Sequence, residues 1–494
     1  MLTNEEPRQL FPGQLIGAAA AHDRQHIALL DQPTHLADMT FDFSEYWLRY
    51  GGFSKSPMTF LDSEPKAVLS AIMEIALIET GSRSARERWQ QIQFRNLLNH
   101  ATQRSAFWRS RIRRRKASDV DLASLPILTR QDLITQVKSE GPLLQAADGL
   151  LTKVHATSGS SGMPVNFYVS NVSGNYNSLR SLAQYFMEGR DLSLNRTRIR
   201  EADAPTKGIS VKKEKYWIGS LGSLIKSGKN KKIEYSNFSR TDSHQLVREL
   251  KKDDVGYLIA GPNIIDTISS SFDLRFLKTA NTAMWTPLGA KPDLQLIKTF
   301  TDLGIPVRAT YSSEEVGRIA SACSKCSGYY HVATSNVVVE VADRRFDING
   351  MRVGKVLVTH LHSYATPFIR YDLGDLASLC AKCPCGHDGP TIYNLEGRES
   401  SVIKRRDGRL YPFYIRGKEL QALADFTEYR MRQTALERIV IEFGGRSELS
   451  ANEVALVGAF LKERAGQEFE IEVKACEQID WGQSRKRPGF RCEI

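Results

Sequence analysis

Long hydrophobic runs are missing from this sequence, and cysteine is scarce. The longest apolar-leaning stretch, residues 67–78, is shorter than the roughly 20 residues that a membrane-spanning helix needs, and it contains Glu74. Seven cysteines in 494 residues are too few for a disulfide-stapled secreted module. The N-terminus carries Glu5 and Glu6 where a secretion signal carries Lys or Arg. We therefore expect a cytoplasmic protein that has no membrane partner.

The composition is that of an ordinary soluble protein, with 41% hydrophobic and 25% charged residues. The net charge of +11 favours acidic partners, and much of it lies in residues 109–116 and 207–232. Neither stretch is accompanied by an aromatic RNA-binding signature, a helix-turn-helix spacing or a zinc-finger histidine pair. We interpret both as solvated surface, or as a docking surface for the phosphates of a nucleotide or coenzyme A, and expect no nucleic-acid partner.

Strand-like and helix-like segments alternate from about residue 150 to residue 375, which predicts an α/β domain with a large sheet. The predicted elements include strands at 154–156, 255–260 and 307–310 and helices at 178–188 and 243–252. A strand–helix–strand pattern after residue 397 predicts a small α+β unit. The chain is accordingly divided into an N-terminal extension without an assigned role (1–85), a large domain (86–396) and a small C-terminal domain (397–494).

A loop rich in serine and glycine separates two strand-like segments, and so is predicted to join a hairpin. Its glycines allow backbone N–H groups to converge on an anion, and its hydroxyls add further donors. A Gly-Lys-Ser/Thr sequence does not follow, so the loop is not a Walker A loop. Alone, such a loop is more often a flexible turn than a phosphate site. The residues concerned are Thr157, Ser158, Gly159, Ser160, Ser161 and Gly162.

This loop resembles the Thr-Ser-Gly-Thr-Thr-Gly-x-Pro loop of the adenylate-forming enzymes, a superfamily that includes the acyl-CoA synthetases. Four further segments resemble motifs of that superfamily and follow in its order. They are YSSEEVG at 311–317, TPFIRYDLGD at 366–375, EGRESSVIK at 396–404 and SRKRPGF at 484–490. The helical LLNHATQRSAFWRSRI and the LPILTRQDL after it are typical of the phenylacetate–CoA ligase branch. The resemblance covers residues 90–494.

The resemblance implies an α/β fold with mixed sheets in a large N-terminal adenylate-forming domain and a small, mobile α+β C-terminal lid. It implies that ATP activates an aryl or acyl carboxylic acid as an acyl adenylate, which is then transferred to a thiol, that of coenzyme A. Two alternatives stay open: an amine acceptor that gives an amide, and a catalytically weak nucleotide-binding homologue. The sequence also leaves a homodimer open.

The resemblance also assigns roles to individual residues. Glu315 would bind Mg²⁺, Tyr311 would pack on the adenine, and Asp375 would accept hydrogen bonds from the ribose hydroxyls. Arg398 would contact the ribose or a phosphate. Lys486 would bridge the α-phosphate and the attacking carboxylate, although the match at 484–490 is short and Arg485 or Arg487 could take this cationic role instead. The catalytic residues would thus be Lys486, Glu315 and Arg398. The nucleotide site would further include Gly289, Ser312, Glu314 and residues 157–162.

Three positions depart from the superfamily's pattern. Met163 stands where the loop commonly has lysine, which removes one cation facing the phosphates. Ser401 stands where the hinge usually has aspartate, and Ala290 where a glutamate is frequent. These departures are the reason that a catalytically weak homologue remains an alternative.

Cysteines gather in two places and predict a structural zinc site, because paired C-x-x-C units in tight turns share a tetrahedral ion well. Similarity to the phenylacetate–CoA ligase branch would give Cys323, His331, Cys383 and Cys385 as ligands, whereas spacing alone makes Cys326 the better partner of Cys323. The choice stays open at this point. The six candidates are Cys323, Cys326, His331, Cys380, Cys383 and Cys385.

Overall fold

The structure is a computed structural model, and it describes most of the chain from residue 63 to residue 494. The ranges outside the description are 1–62, 113–114, 140–151, 157–164, 203–207, 218–226, 290–291, 349–350, 399–401 and 482–488, together with residues 237, 239, 293, 414 and 416. Within the described residues, no helix is both long enough and apolar enough to cross a membrane.

The described part of the N-terminal region is helical. Its helices are α1 (Ser63–Thr80), α2 (Arg83–Arg104), α3 (Ala106–Ile112) and α4 (Arg130–Ser139), with short 3₁₀ turns at Ala117–Asp119 and Leu122–Ser124. Ser82 caps α2, because its side chain accepts a hydrogen bond from the backbone of Ala85 at 3.3 Å. Near the end of α1, Glu79 accepts hydrogen bonds from the backbone and hydroxyl groups of Thr334 and Ser335. This contact fixes α1 to the body of the protein.

A hairpin brackets the serine- and glycine-rich loop. Its strands are β1 (Thr152–Ala156) and β2 (Asn166–Ser170), which pair antiparallel from Thr152 opposite Ser170 to Ala156 opposite Asn166. Residues 157–164, between the strands, lie outside the described residues. Ser170 caps the following helix α5 (Asn171–Met187) by accepting a hydrogen bond from Ser173.

A five-stranded sheet forms one α/β unit. Its strands are β3 (Arg196–Glu201), β4 (Ile209–Glu214), β5 (Asn230–Tyr235), β6 (Gly256–Ala260) and β7 (Thr282–Pro287), in the order β4-β5-β3-β6-β7. All neighbours are parallel except β4 and β5. The helices α6 (Arg240–Lys252), α7 (Pro262–Ser269), α8 (Arg275–Thr279) and α9 (Leu294–Asp302) cover one face, and α1 and α5 pack on the other. The carboxyl ends of β3, β6 and β7 therefore share one edge, where such folds bind ligands.

A nine-stranded, mostly antiparallel sheet forms the second unit, in the order β15-β16-β11-β12-β13-β14-β10-β9-β8. The strands are β8 (Thr310–Ser313), β9 (Gly317–Ala322), β10 (Tyr330–Val332), β11 (Val337–Ile348), β12 (Met351–His360), β13 (Tyr371–Cys380), β14 (Thr391–Arg398), β15 (Val402–Lys404) and β16 (Leu410–Pro412). One face packs on α2 and α3 around the fully buried Trp108 and Leu97. β15 and β16 join this sheet although they follow residue 397.

The C-terminal segment forms a four-stranded sheet in the order β19-β18-β17-β20. Its elements are α10 (Gly417–Gln421), β17 (Glu428–Ala435), β18 (Arg438–Gly444), α11 (Ala451–Ala465), β19 (Glu470–Cys476) and β20 (Phe490–Cys492). Ser450 and Glu453 form a complete capping box at the start of α11. The α+β prediction for this segment agrees with these elements, while the boundary at residue 397 stays a prediction.

Candidate active site and a Cys/His cluster

A short hairpin presents the first of the predicted site residues. Tyr311 and Ser312 lie in β8, and Glu314 and Glu315 lie in the turn that joins it to β9. Val316 is fully buried and anchors the turn, so that Glu315 is half-buried while Glu314 is exposed. Gly317 closes the turn with φ near 69°, a conformation that favours glycine, and a Cβ there would lie 2.6 Å from Asn177 Oδ1, so the Asn177 side chain would have to move.

Two tyrosine–carboxylate contacts join this hairpin to β13. The Tyr311 hydroxyl donates to Asp375 Oδ2 at 2.7 Å, and the Tyr371 hydroxyl donates to Glu315 Oε1 at 3.3 Å. Asp375 and Tyr371 are both buried. Each segment thus supplies one tyrosine and one carboxylate. The structure thereby brings together Tyr311, Glu315 and Asp375, which the sequence named separately, and adds Tyr371, whose role in the site the sequence did not reveal.

A small cavity of about 20 Å³ lies against Glu314 and Glu315, enough for about one water molecule. His360, which is 3% exposed, lines this cavity, and neither of its ring nitrogens has a hydrogen-bond partner among the described residues. Burial, with the nearby charges of His362 and Arg180, lowers the pKa of His360 well below its usual value, so the ring is neutral. Nothing in the sequence around His360 indicated this position.

The remaining predicted nucleotide residues are described to different extents. Gly289 follows β7 at the carboxyl edge of the parallel strands, with φ near 80°, and a Cβ there would meet no atom within 4 Å. The backbone of Arg398 lies directly opposite Asp375 in the β13–β14 ladder, but only its backbone is described. Residues 157–164, with Met163, and residues Ala290, Ser401 and Lys486 lie outside the described residues.

A Cys/His cluster lies at the other end of the same strands. The ligand atoms of its four residues are all within 4.8 Å of one another, and Cys385 Sγ lies 3.4 Å from His331 Nε2. Tetrahedral zinc, with bonds of about 2.3 Å to sulfur and about 2.0 Å to nitrogen, requires separations of nearly this size, so the donors fit the ion. The cluster consists of Cys323, His331, Cys383 and Cys385.

Backbone groups already point at the sulfurs of this cluster. Cys323 Sγ accepts hydrogen bonds from the N–H groups of Lys325 and Cys326, at 3.4 and 3.3 Å, and Cys385 Sγ accepts one from His387 at 3.4 Å. Such donors favour thiolates. Burial raises the pKa of the Cys383 thiol to about 12 and lowers the pKa of His331, which leaves the imidazole neutral, as a ligand must be.

The other two candidate cysteines stand outside the group of four. The Cys380 thiol is directed to the carbonyl oxygen of Lys382 at 3.2 Å. Cys326 lies beside the group, where burial and the charge of Cys323 raise its pKa. The four residues of the cluster are thus those that the branch resemblance implied, while the Cys326 side chain lies against Cys323 and Cys383.

The comparisons with known proteins bear on the fold. No family model matches the chain, and no curated relative matches it. Among solved structures, 2-hydroxyisobutyryl-CoA ligase in the postadenylation state with 2-HIB-AMP superposes with a TM-score of 0.53 at 16% identity, over 84% of this chain and 90% of that one. The same ligase with 2-HIB-AMP and CoA in the thioesterification state gives 0.52 at 16% identity, over 84% and 92%. The chain therefore has the same overall fold as 2-hydroxyisobutyryl-CoA ligase.

Proposed function

We propose that this protein activates a carboxylic acid with ATP as an acyl adenylate and then transfers the acyl group to the thiol of coenzyme A. The observation that carries the proposal is the pair of contacts Tyr311–Asp375 and Tyr371–Glu315, because they hold two carboxylates with different tasks at one place on this fold. The phenylacetate–CoA ligase-like branch is proposed from the sequence motifs.

The two carboxylates would act on different parts of ATP. Asp375 is acceptor-only when ionised, and it would bind both ribose hydroxyls while Tyr311 holds it in orientation. Glu315, held by Tyr371, would ligate Mg²⁺, which prefers carboxylate oxygen. When bound, Mg²⁺ would neutralise phosphate charge. The protein's part is to place the attacking carboxylate in line with the α-phosphorus, since such chemistry depends mostly on positioning and charge neutralisation.

Further groups are assigned to this site by proposal. The hydroxyl and N–H groups of residues 157–162 would bind the phosphates, and Gly289, Ser312 and Glu314 would line the nucleotide. Arg398 would contact the ribose or a phosphate beside Asp375. Lys486 would neutralise charge between the α-phosphate and the entering carboxylate. The segment 397–494 would act as the mobile lid that carries Lys486.

We further propose that the Cys/His cluster holds one structural zinc ion. Four protein ligands leave no open position for chemistry, so the ion would stabilise rather than react. Cys323 follows the strand that begins two residues after Glu315, and Cys383 follows the strand that contains Asp375. The ion would therefore fix the two site-bearing segments to each other.

Carboxylate-dependent ATP–pyrophosphate exchange tests the proposed function. The purified protein is incubated with ATP, labelled pyrophosphate and a panel of aliphatic and aromatic acids. Label should enter ATP only when an accepted acid is present. Addition of coenzyme A or an amine to the reactive acid then identifies the acceptor. If no acid of a broad panel supports exchange, the protein is a nucleotide-binding homologue that does not activate acids. A product that forms equally well without any thiol would exclude the CoA step.

Replacing Tyr311 with phenylalanine should raise the KM for ATP by about 10- to 100-fold, since a hydrogen bond to a charged acceptor contributes about 1.5–3 kcal/mol. The phenyl ring keeps the packing surface and loses only the hydroxyl that donates to Asp375. Initial rates over an ATP series measure the effect. Tyr393→Phe serves as the control, because Tyr393 stacks on Tyr329 away from Asp375. An unchanged KM for Tyr311→Phe would mean that Asp375 does not bind the nucleotide.

A further inference from the structure

The face of the five-stranded sheet toward α5 carries a cation, Arg198, for which the described residues supply no counterion. Thr197 and Ile199 of β3 are each 1% exposed and face the core, so the alternating Arg196, Arg198 and Arg200 face the side of α5. The Nε of Arg198 is buried and has no hydrogen-bond partner among the described residues. A buried donor in this state is costly, and a ligand group would offset that cost.

The basic residues around Arg198 all have partners of their own. Arg196 donates to Asn230 Oδ1 at 3.0 Å and stacks on Trp217. Arg200 pairs with Glu234 at 3.0 Å. Lys232, directly opposite Arg198 in β5, pairs with Glu214 at 2.5 Å. Arg198 is thus the member of this group that the described part of the chain leaves without an acid.

Other lysines of the basic stretch 207–232 are paired in the same way. Lys212 contacts Glu234 at 3.3 Å, and Lys213 and Lys231 both contact Asp253, at 2.8 and 2.6 Å. These pairs account for much of the described stretch as ion pairs, of which that of Lys231 is buried. An anion would therefore find its partner at Arg198 more readily than at these lysines.

The register places Arg198 next to the candidate active site. Arg198 lies beside Ile259 of β6, which lies beside Thr286 of β7, and all three are half-buried. Thr286 precedes Gly289 by three residues at the carboxyl edge of these parallel strands. Since substrates bind in the crevice outside that edge, Arg198 lies on the wall that a bound acid would meet.

The electrostatics agree with this position. Burial lowers the pKa of Arg198, and the neighbouring Arg200 and Arg196 lower it further, while Tyr185 and Glu314 oppose the shift. Because Glu314 directly precedes Glu315, a charged residue of the candidate active site acts electrostatically on Arg198. Glu314 is itself exposed and makes no ion pair with Arg198. The positive potential at this wall would attract a second anion.

We propose that Arg198 binds the distal carboxylate of a dicarboxylic acid substrate. The other carboxylate of this acid is the one that ATP adenylates, in the site that contains Glu315. The inference rests on the proposed function and narrows its substrate class. A guanidinium suits this role because its planar donors match a carboxylate, and because it remains charged when partly buried. Arg198 would act as a specificity-determining residue, with no part in the bond-making step.

Matched pairs of acids test the proposal in the exchange assay. Each pair has the same chain length and differs only in the distal carboxylate, as pentanoate and glutarate or hexanoate and adipate do. For the wild type, kcat/KM should be about 10- to 100-fold higher for the dicarboxylate of an accepted pair, the effect of one charged hydrogen-bonded contact. Arg198→Met should abolish this preference through KM, with the kcat for the monocarboxylate unchanged, and Arg198→Lys should restore part of it.

Arg200→Met is the matched control. It removes a cation from the same face of the same strand, and it should keep the preference because Arg200 already has Glu234 as its partner. The melting temperature of Arg198→Met should be unchanged or higher, since the variant removes a half-buried charge for which the described residues supply no acid. An arginine with only a structural role would give a lower melting temperature and no change in acid preference.

Several results would overturn the proposal. Equal kcat/KM for both members of every pair would exclude a distal carboxylate site, and so would a preference that survives in Arg198→Met. A uniform rise in the KM for ATP with all acids would assign Arg198 to a nucleotide phosphate instead. If no acid supports exchange, the proposed function fails. In that case, calorimetric titration of the wild type and of Arg198→Met with glutarate and pentanoate tests the anion site independently of the proposed function. The absence of Arg198-dependent glutarate binding would reject the anion site.

Discussion

Replacing Glu315 with glutamine is expected to reduce acid-dependent ATP–pyrophosphate exchange by about 10²–10³-fold, the size of losing one preorganised electrostatic contact at a transition state. Glutamine has the same shape and can still accept the hydrogen bond from Tyr371, so the turn should keep its conformation. What is lost is the negative charge that a hard cation prefers. The exchange rate is measured over a series of Mg²⁺ concentrations.

The control for this variant is Glu87→Gln, which makes the same chemical change on the exposed surface of α2, where Glu87 pairs with Arg83. Its exchange rate should equal that of the wild type. A Glu315→Gln protein that is folded and fully active at every Mg²⁺ concentration would remove Glu315 from the reaction. It would also remove the main support of the proposed function, since Glu315 is the residue that links the turn at 311–317 to phosphate chemistry.

The residues of the candidate site could be named from the sequence largely because each of its segments is local. A turn such as YSSEEVG and a strand such as YDLGD carry their residues at fixed spacing, so Tyr311, Glu315 and Asp375 could be named before any tertiary information. What spacing does not contain is the contact between segments that are 64 residues apart. Tyr371 illustrates this limit, because from the sequence it is one more aromatic residue that would be expected in the core.

Arg198 and His360 could not be found from the sequence for a different reason. Arginine in a strand among other basic residues is by default a surface charge. Only the register shows that the neighbouring cations take the available acids and leave Arg198 without one. His360 is likewise distinguished by the lack of partners on either ring nitrogen, which depends on packing from several segments.

Element boundaries show where local patterns mislead. The strand predicted at 307–310 begins at Thr310 instead, and Val307 makes only an isolated bridge to Trp285. The helix predicted at 178–188 begins at Asn171, because Ser170 caps it there. Its first turns are rich in Asn, Ser and Gly and lack helical apolar spacing, so periodicity alone placed the start too late.

The largest structural effect is expected from a substitution in the Cys/His cluster. Cys383→Ser should eliminate bound zinc and strongly destabilise the protein, because structural zinc contributes about 10–16 kcal/mol of apparent binding free energy in small zinc modules, as much as the whole stability of a domain. Cys383 is 2% exposed, so the remaining donors would also be left buried without their ion. Elemental analysis should give about one zinc per wild-type chain and none in the variant.

Cys380→Ser provides the matched control, since it makes the same change three residues earlier, at the end of β13, at a thiol directed to Lys382. This variant should keep its zinc, and so should Cys326→Ser if the ligands are the four whose donor atoms lie within 4.8 Å of one another. If Cys326→Ser loses its zinc and Cys385→Ser keeps it, then Cys326 is a zinc ligand and Cys385 is not. A wild-type protein that is folded and active without any bound metal would reject the structural zinc site.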